Sequence, residues 1–140
     1  MKKSRKKASW DEYFMGMAEK ATERSIDPDY QVGAIIVSKK NRIISTGYNG
    51  FPEGFDESDL DWDQKDLLRP FIAHAEINAI LFSRRKLKKA RLYCTLCPCE
   101  NCALLARIAG IRKIYYRNSY KDDAKIFKFC KRLGVEIKKI

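Results

Sequence analysis

Two short segments constrain this chain more than anything else in it: His74-Ala75-Glu76 and Pro98-Cys99-Glu100-Asn101-Cys102. One imidazole and two thiolates can hold a zinc ion and leave its fourth position open to water, which is what separates catalytic zinc from structural zinc. Two thiolates and a neutral imidazole also cancel the charge of the ion. For such a site to form, the fold must carry His74 to Cys99 and Cys102. Glu76 then stands two residues from a metal ligand, placed to take and give protons.

His74 is the only histidine in the chain, and a lone histidine is weak evidence for a ligand. Its companions reverse that reading. Cys99 and Cys102 lie three positions apart, so on a helix they share one face. In a first helical turn the helix dipole favours thiolate over thiol. The competing arrangement is a closed knuckle of Cys94, Cys97, Cys99 and Cys102. It would draw ligands from a strand and its end, with Cys97 and Cys99 separated only by Pro98, and it would leave His74 and Glu76 without a role. Cys94 therefore reads as a buried strand residue, Cys97 as a neighbour of the site that does not bind metal, and Cys130 as core.

A length of 140 residues suits one domain around one core. We read residues 1–8 as a basic, disordered tail and residues 9–140 as the domain. No apolar run approaches the ~20 residues that span a bilayer, and no apolar stretch follows the basic start as it would in a secretory signal. Four of the five cysteines fall between Cys94 and Cys102, which argues against a disulfide framework and for a reducing, cytoplasmic setting. The formal charge of +11 suits nucleic acid, an anionic small substrate or mere solubility. It is concentrated in two clusters, Lys2–Lys7 and Arg84–Arg91, while Glu53–Asp66 is acidic. Neither basic cluster is interleaved with aromatic residues, so neither nucleic acid nor a membrane is expected as a partner.

Periodicity supplies the outline. Ser9 and Glu12 make a capping box. Trp10, Phe14, Met17, Ala18 and Ala21 recur at helical spacing, which predicts a helix over 9–24. Val32–Val37 and Ile43–Thr46 read as a hairpin around a turn at 39–42. Gly47-Tyr48-Asn49-Gly50 ends it with residues that tolerate unusual backbone angles. Residues 51–69 lack periodicity, apart from a helical turn around Leu67 and Leu68, and a stretch of that length is usually functional or mobile. A helix is expected near 74–84, a strand over 91–95, a helix near 99–109 with Pro98 at its first position, and strands over 111–116 and 135–140 flanking a helix over 123–133. The order predicts a three-layer α/β/α fold, a five-stranded mixed sheet with helices on both faces. The strand–helix–strand units from residue 91 onward should be parallel.

The pattern H-x-E…P-C-x-x-C is shared by zinc nucleobase deaminases. Around it, Trp10-x-x-Tyr13-Phe14-Met15, Gln31–Val37, Gly47-Tyr48-Asn49-Gly50-Phe51-Pro52-x-Gly54, His74–Ile80, Pro98–Ala103, Ala109-Gly110-Ile111 and Ser119-Tyr120 occur in order. Over about residues 9–140 the chain resembles deoxycytidylate (dCMP) deaminases. The Gly-Tyr-Asn-Gly-x-Pro element is the most discriminating part.

That resemblance implies a cytidine-deaminase-like fold and hydrolysis of dCMP to dUMP and ammonia, supplying dUMP for thymidylate synthesis. It implies catalytic Zn2+ on His74, Cys99 and Cys102, with Glu76 as the proton shuttle. It also implies a homo-oligomer, commonly a hexamer, with dCTP and dTTP as effectors and Mg2+ accompanying the effector. Asn49 is then expected at the sugar, and the backbone of Ala75 and of Thr95 to Pro98 around the base. Arg24, Ser25, Arg117 and Tyr120 are candidates for the 5′-phosphate, the arginines by their bidentate geometry. A second, structural zinc is not expected, since no second histidine exists. Two other substrates stay open: dCTP, which differs from dCMP only at its phosphate end, and tRNA, which the positive charge would suit.

Overall fold

β1 (Gly33–Val37) is buried along its whole length, as a strand covered on both faces must be. β2 (Ile43–Tyr48) and β3 (Arg91–Leu96) flank it antiparallel. β4 (Lys113–Asn118) and β5 (Glu136–Lys139) follow in parallel, giving the five-stranded order β2-β1-β3-β4-β5. The computed structural model describes residues 1–140, and residues 1–9 carry no regular structure and are exposed.

Alternation along the strands divides the core in two. Ile35, Val37 and Tyr93 face α1 (Trp10–Ala21) and pack on Phe14, Met15 and Ala18. Ala34, Ile36, Leu92, Cys94, Ile114 and Tyr116 face the other way. They meet α3 (Ala75–Ser83), α4 (Glu100–Ala109) and α5 (Asp123–Leu133), which contribute Ala79, Ala106 and Cys130 among others. The three-layer α/β/α architecture is the one expected.

The departures from expectation have local causes. Ser9 does cap α1, its hydroxyl accepting the Glu12 amide at 3.1 Å. However, Met15 rather than Met17 is buried, and Trp10 remains exposed. The apolar stripe is therefore turned by roughly 60° about the helix axis from the reading with Trp10 and Met17. Strand β4 begins at Lys113 rather than 111 because Ile111 closes α4. Gly110 turns left-handed (φ 112°) and the Ile111 amide donates to Ala106, a Schellman closure. α5 ends the same way at Gly134, with Val135 donating to Cys130, so β5 starts at Glu136. Pro98 precedes the N-cap of α4, which is Cys99, instead of opening the helix.

Gly47 and Gly50 do not take unusual angles. Gly47 lies inside β2, and its value is closeness: a Cβ there would meet the Ala75 carbonyl at 2.3 Å and the Ala79 amide at 2.6 Å. The missing side chain lets α3 lie directly on the sheet. The segment between is held at its ends by a Gly50–Ala73 bridge, with backbone bonds of 3.1 and 2.9 Å. It contains the short α2 (Lys65–Leu68), the helical turn predicted there. Phe51, Phe55, Trp62 and Phe71 stack into a satellite cluster beneath it.

Two glycines should consequently respond in opposite directions. Gly47→Ala is expected to destabilise by about 1–3 kcal/mol through overpacking. Gly16→Ala, mid-α1 with open space around it, should stabilise by about 0.5–1 kcal/mol. Urea midpoints of the two variants check both signs.

Candidate active site

Two helix N-termini converge at one place. His74 is the N-cap residue of α3, and Cys99 is the N-cap residue of α4. Helix starts present unpaired N–H groups and the positive end of the helix dipole. Here one of those groups is used directly: the Cys102 amide donates to Cys99 Sγ at 3.4 Å. The thiol thus fills the role usually taken by Ser or Asp at a cap. His74 Nδ1 lies 3.2 Å from Cys102 Sγ and 3.6 Å from Cys99 Sγ. All three candidate ligand atoms fall within 4.8 Å of one another.

The electrostatics fit a cation-binding cluster. Hydrogen bonding from Cys102, aided by His74, holds the Cys99 thiol down to about 4. The same partnership, with burial, pushes Cys102 upward. A divalent ion held here would draw both sulfurs toward thiolate. The hydrogen bond to Cys99 raises His74. Glu76, in the first turn of α3, is only 4% exposed, and burial raises its pKa above the ordinary carboxylate value. The donor set is that of an open zinc site: three N/S ligands, no fourth protein ligand, and a buried carboxyl beside them.

A cavity opens directly over this cluster. His74, Ala75, Glu76 and Cys99 line it, and Cys102 is fully buried. Val32, Asn49, Leu96 and Cys97 line it as well. Asp27, Tyr30, Arg69, Ile72 and Tyr120 complete the lining. Asn49 is held rigidly. Its Oδ1 accepts the Val32 amide at 2.9 Å and its Nδ2 donates to the Tyr30 carbonyl at 2.8 Å, leaving one donor and one acceptor unused.

The other residues singled out from the sequence divide. Thr95 lies behind the wall, its hydroxyl accepting the Gly33 amide at 3.1 Å. Pro98 borders an adjoining cavity that shares Cys97, Cys99 and Tyr120. Among the phosphate candidates Tyr120 lines the main cavity, whereas Arg24, Ser25 and Arg117 do not. Arg24 stands over the Tyr48 ring at 5.9 Å. Ser25 donates to the Tyr30 carbonyl at 3.4 Å. Arg117 pairs with Glu19 at 2.6 Å. Sequence reasoning passed over Asp27, Tyr30, Arg69 and Ile72. The available signals were an Asp-Pro-Asp turn at 27–29 and an arginine just beyond an acidic run. Cys94 and Cys130 are buried, in keeping with core roles, and no helix is long and apolar enough to cross a membrane.

Comparison with known proteins agrees with this geometry. Residues 8–118 match the family described as the cytidine and deoxycytidylate deaminase zinc-binding region. Deoxycytidylate deaminase of Homo sapiens is 38% identical over 121 residues, 82% of this chain and 68% of that protein. A probable deoxycytidylate deaminase of Drosophila melanogaster is 38% identical over 145 residues, covering 93% and 71%. The crystal structure of the dCMP deaminase of cyanophage S-TIM5 in complex with dCMP and dUMP superposes with a TM-score of 0.77. It has 32% identity and covers 97% of this chain and 100% of that one. With a His/Cys/Cys cluster at two helix starts, a buried glutamate beside it and relatives of this similarity, the chain belongs to the zinc-binding cytidine and deoxycytidylate deaminase family.

Proposed function

We propose that the protein hydrolyses dCMP to dUMP and ammonia, with zinc held by His74, Cys99 and Cys102 and protons carried by Glu76. The observation that carries this reading is Glu76 itself. It is a buried carboxyl beside a His/Cys/Cys cluster, lining a cavity that His74, Cys99 and Asn49 also line. Bound zinc would supply a water whose pKa is lowered to roughly 7.

The chain's own part is proton traffic and orientation. Glu76 takes a proton from the attacking water and delivers it to N3 of the cytosine. The water oxygen bonds to C4; Glu76 then carries the second proton, from the new C4 hydroxyl, to the 4-amino group, the C4–N bond breaks, ammonia leaves and the carboxylate is regenerated. A carboxyl with a raised pKa suits both directions of transfer near neutral pH. Asn49 offers its unused donor and acceptor to the sugar, and the backbone at Ala75, Leu96 and Cys97 encloses the base.

The charge distribution favours a mononucleotide over tRNA. The Arg84–Lys89 cluster follows the C-terminus of α3, while the site lies at that helix's N-terminus. Nine residues separate them, about 13 Å of helix. The cavity lining holds one arginine, Arg69, against two carboxylates, Asp27 and Glu76, which is no funnel for a polyanion. dCTP stays within the reading as a second mononucleotide substrate. Supply of dUMP for thymidylate synthesis, control by dCTP and dTTP with Mg2+, and assembly into a homo-oligomer complete it. Assembly is supported by an exposed apolar face of Leu81 and Phe82 on α3 with Leu105 and Ile108 on α4, unusual for a monomer.

Purified zinc-loaded protein should release ammonia from dCMP faster than from deoxycytidine, with dCTP and a tRNA anticodon stem-loop in parallel reactions. Turnover of the stem-loop with silence on mononucleotides would overturn the reading. Glu76→Gln should retain one zinc per chain by elemental analysis yet lose at least about 10²–10⁴-fold in turnover.

A pH effect follows from the buried carboxyl. A carboxyl with a raised folded-state pKa binds its proton more tightly folded than unfolded. Its contribution to stability is therefore present at low pH and lost as pH rises past the unfolded value toward the folded one. Metal-free Glu76→Gln should accordingly be more stable than metal-free wild type near about pH 8 and converge with it near about pH 3. Denaturant midpoints across that range test the sign.

A further inference from the structure

Arg69 joins two parts of the chain that no local motif connects. Its Nη1 lies 3.3 Å from Asp27 Oδ2 and its Nη2 lies 2.8 Å from Asp29 Oδ2. Its guanidinium stands over the Tyr30 ring at 5.1 Å. Asp27 is 3% exposed, and its other oxygen is already committed. Oδ1 accepts the amides of Asp29 at 2.8 Å and Tyr30 at 3.1 Å. The 27–30 loop is therefore a tight turn built around a buried carboxylate whose only charged partner is Arg69. A buried carboxylate that loses its partner is left uncompensated, which is far costlier than breaking a surface pair.

The consequence reaches the cavity wall. The carbonyl of Tyr30 is the acceptor for Asn49 Nδ2, and the next amide but one, Val32, donates to Asn49 Oδ1. The Tyr30 ring meets Tyr120 edge-on at 5.8 Å. Arg69 thus sits at the head of a chain of contacts: guanidinium to Asp27, Asp27 to the Tyr30 backbone, Tyr30 to Asn49. Five residues later in sequence comes His74, through the 3₁₀ turn Arg69–Phe71 and the Gly50–Ala73 bridge.

We infer that the Arg69–Asp27 pair is a positioning strut that fixes the Tyr30–Asn49 wall of the cavity and so sets substrate affinity. The rival role for a cavity-lining arginine is direct capture of the substrate's anionic group. The geometry speaks against it. Both guanidinium nitrogens face carboxylates and one face is covered by Tyr30, so an incoming phosphate would have to displace a carboxylate and remain beside two of them.

The kinetic test rests on the dCMP reading above and separates the two roles. Michaelis constants for dCMP are measured for zinc-loaded wild type, Arg69→Gln, Asp27→Asn and the double variant. The asparagine keeps an acceptor for the two backbone amides and removes the charge facing Arg69. A strut predicts that each single variant raises KM by about tenfold with kcat changed less than about threefold. The double variant should be no worse than the weaker single, because the two changes break one interaction. Arg69→Lys should recover more than half of the lost affinity. Lys65→Met, which loses only the exposed Lys65–Asp29 pair, should stay within about twofold of wild type.

If Arg69→Gln raises KM while Asp27→Asn leaves it unchanged or lowers it, Arg69 reads the anion directly and the strut is overturned. A fall in kcat at constant KM, or no change in either variant, also overturns it. Should Asp27→Asn fail to fold, as read by its circular dichroism and zinc content, Arg69→Gln and Arg69→Lys carry the test. If wild type turns over no dCMP, the functional reading fails, but the strut is still read by hydrogen exchange. Amides of residues 29–32 should exchange faster in Arg69→Gln, and unchanged protection there overturns it.

Discussion

The meeting of two helix N-termini is the constraint on which the rest of this structure depends. His74 and Cys99 are both N-cap residues, so the metal cluster exists only if α3 and α4 begin at the same point. α4 is fixed by β3, whose end runs straight into Cys97-Pro98-Cys99. α3 has no such lead-in, because it follows a long irregular segment. It is placed instead by direct contact of its backbone with β2 at Gly47 and by the bridge from Gly50 to Ala73. One glycine inside a strand is thereby linked to the position of a candidate metal ligand, His74, almost thirty residues away.

Bringing these groups together without a metal is electrostatically awkward, and the awkwardness is informative. One thiol is drawn toward thiolate and its neighbour away from it, an imidazole is drawn toward its charged form, and a carboxyl is largely shielded from solvent. In a purely structural cluster such arrangements are usually relieved by an additional hydrogen bond or by exposure. Here the cap hydrogen bond from the Cys102 amide holds one thiolate ready, and burial holds Glu76 near the point where it can exchange protons. Perturbation of several titratable groups in one cavity is the mark of a site whose chemistry has been arranged at the expense of stability. A metal ion bound by this cluster would relieve those perturbations and so couple binding to folding.

Much of the fold was legible in the sequence because its signals are local. The 3.6-residue period marks α1, an apolar run with β-branched residues marks β1, and Gly110 and Gly134 mark the helix ends. The errors lie where tertiary contact overrides local pattern. Met15 displaces Met17 because the stripe must fit Ile35 and Tyr93 rather than an ideal helix face. Ile111 and Val135 look like strand residues but are used to close the preceding helices. The glycines of Gly47-Tyr48-Asn49-Gly50 suggest turn geometry, yet the first of them matters for the space it leaves.

The candidate site divides along the same line. The chemical half, His74, Glu76, Cys99 and Cys102, is written in two motifs of three and four residues, because each pair of groups sits within one helical turn. The half that shapes the cavity is not. Asp27 and Arg69 are 42 positions apart, and nothing in either neighbourhood announces the other. Within the acidic segment that precedes α3, carboxylates at Asp56 and Asp61 serve local turns. Lys65 and Arg69 instead point across to the 27–30 loop. A segment that reads as mere acidic irregularity is therefore pinned at three places: by stacked aromatics, by a backbone bridge, and by an arginine on a buried carboxylate.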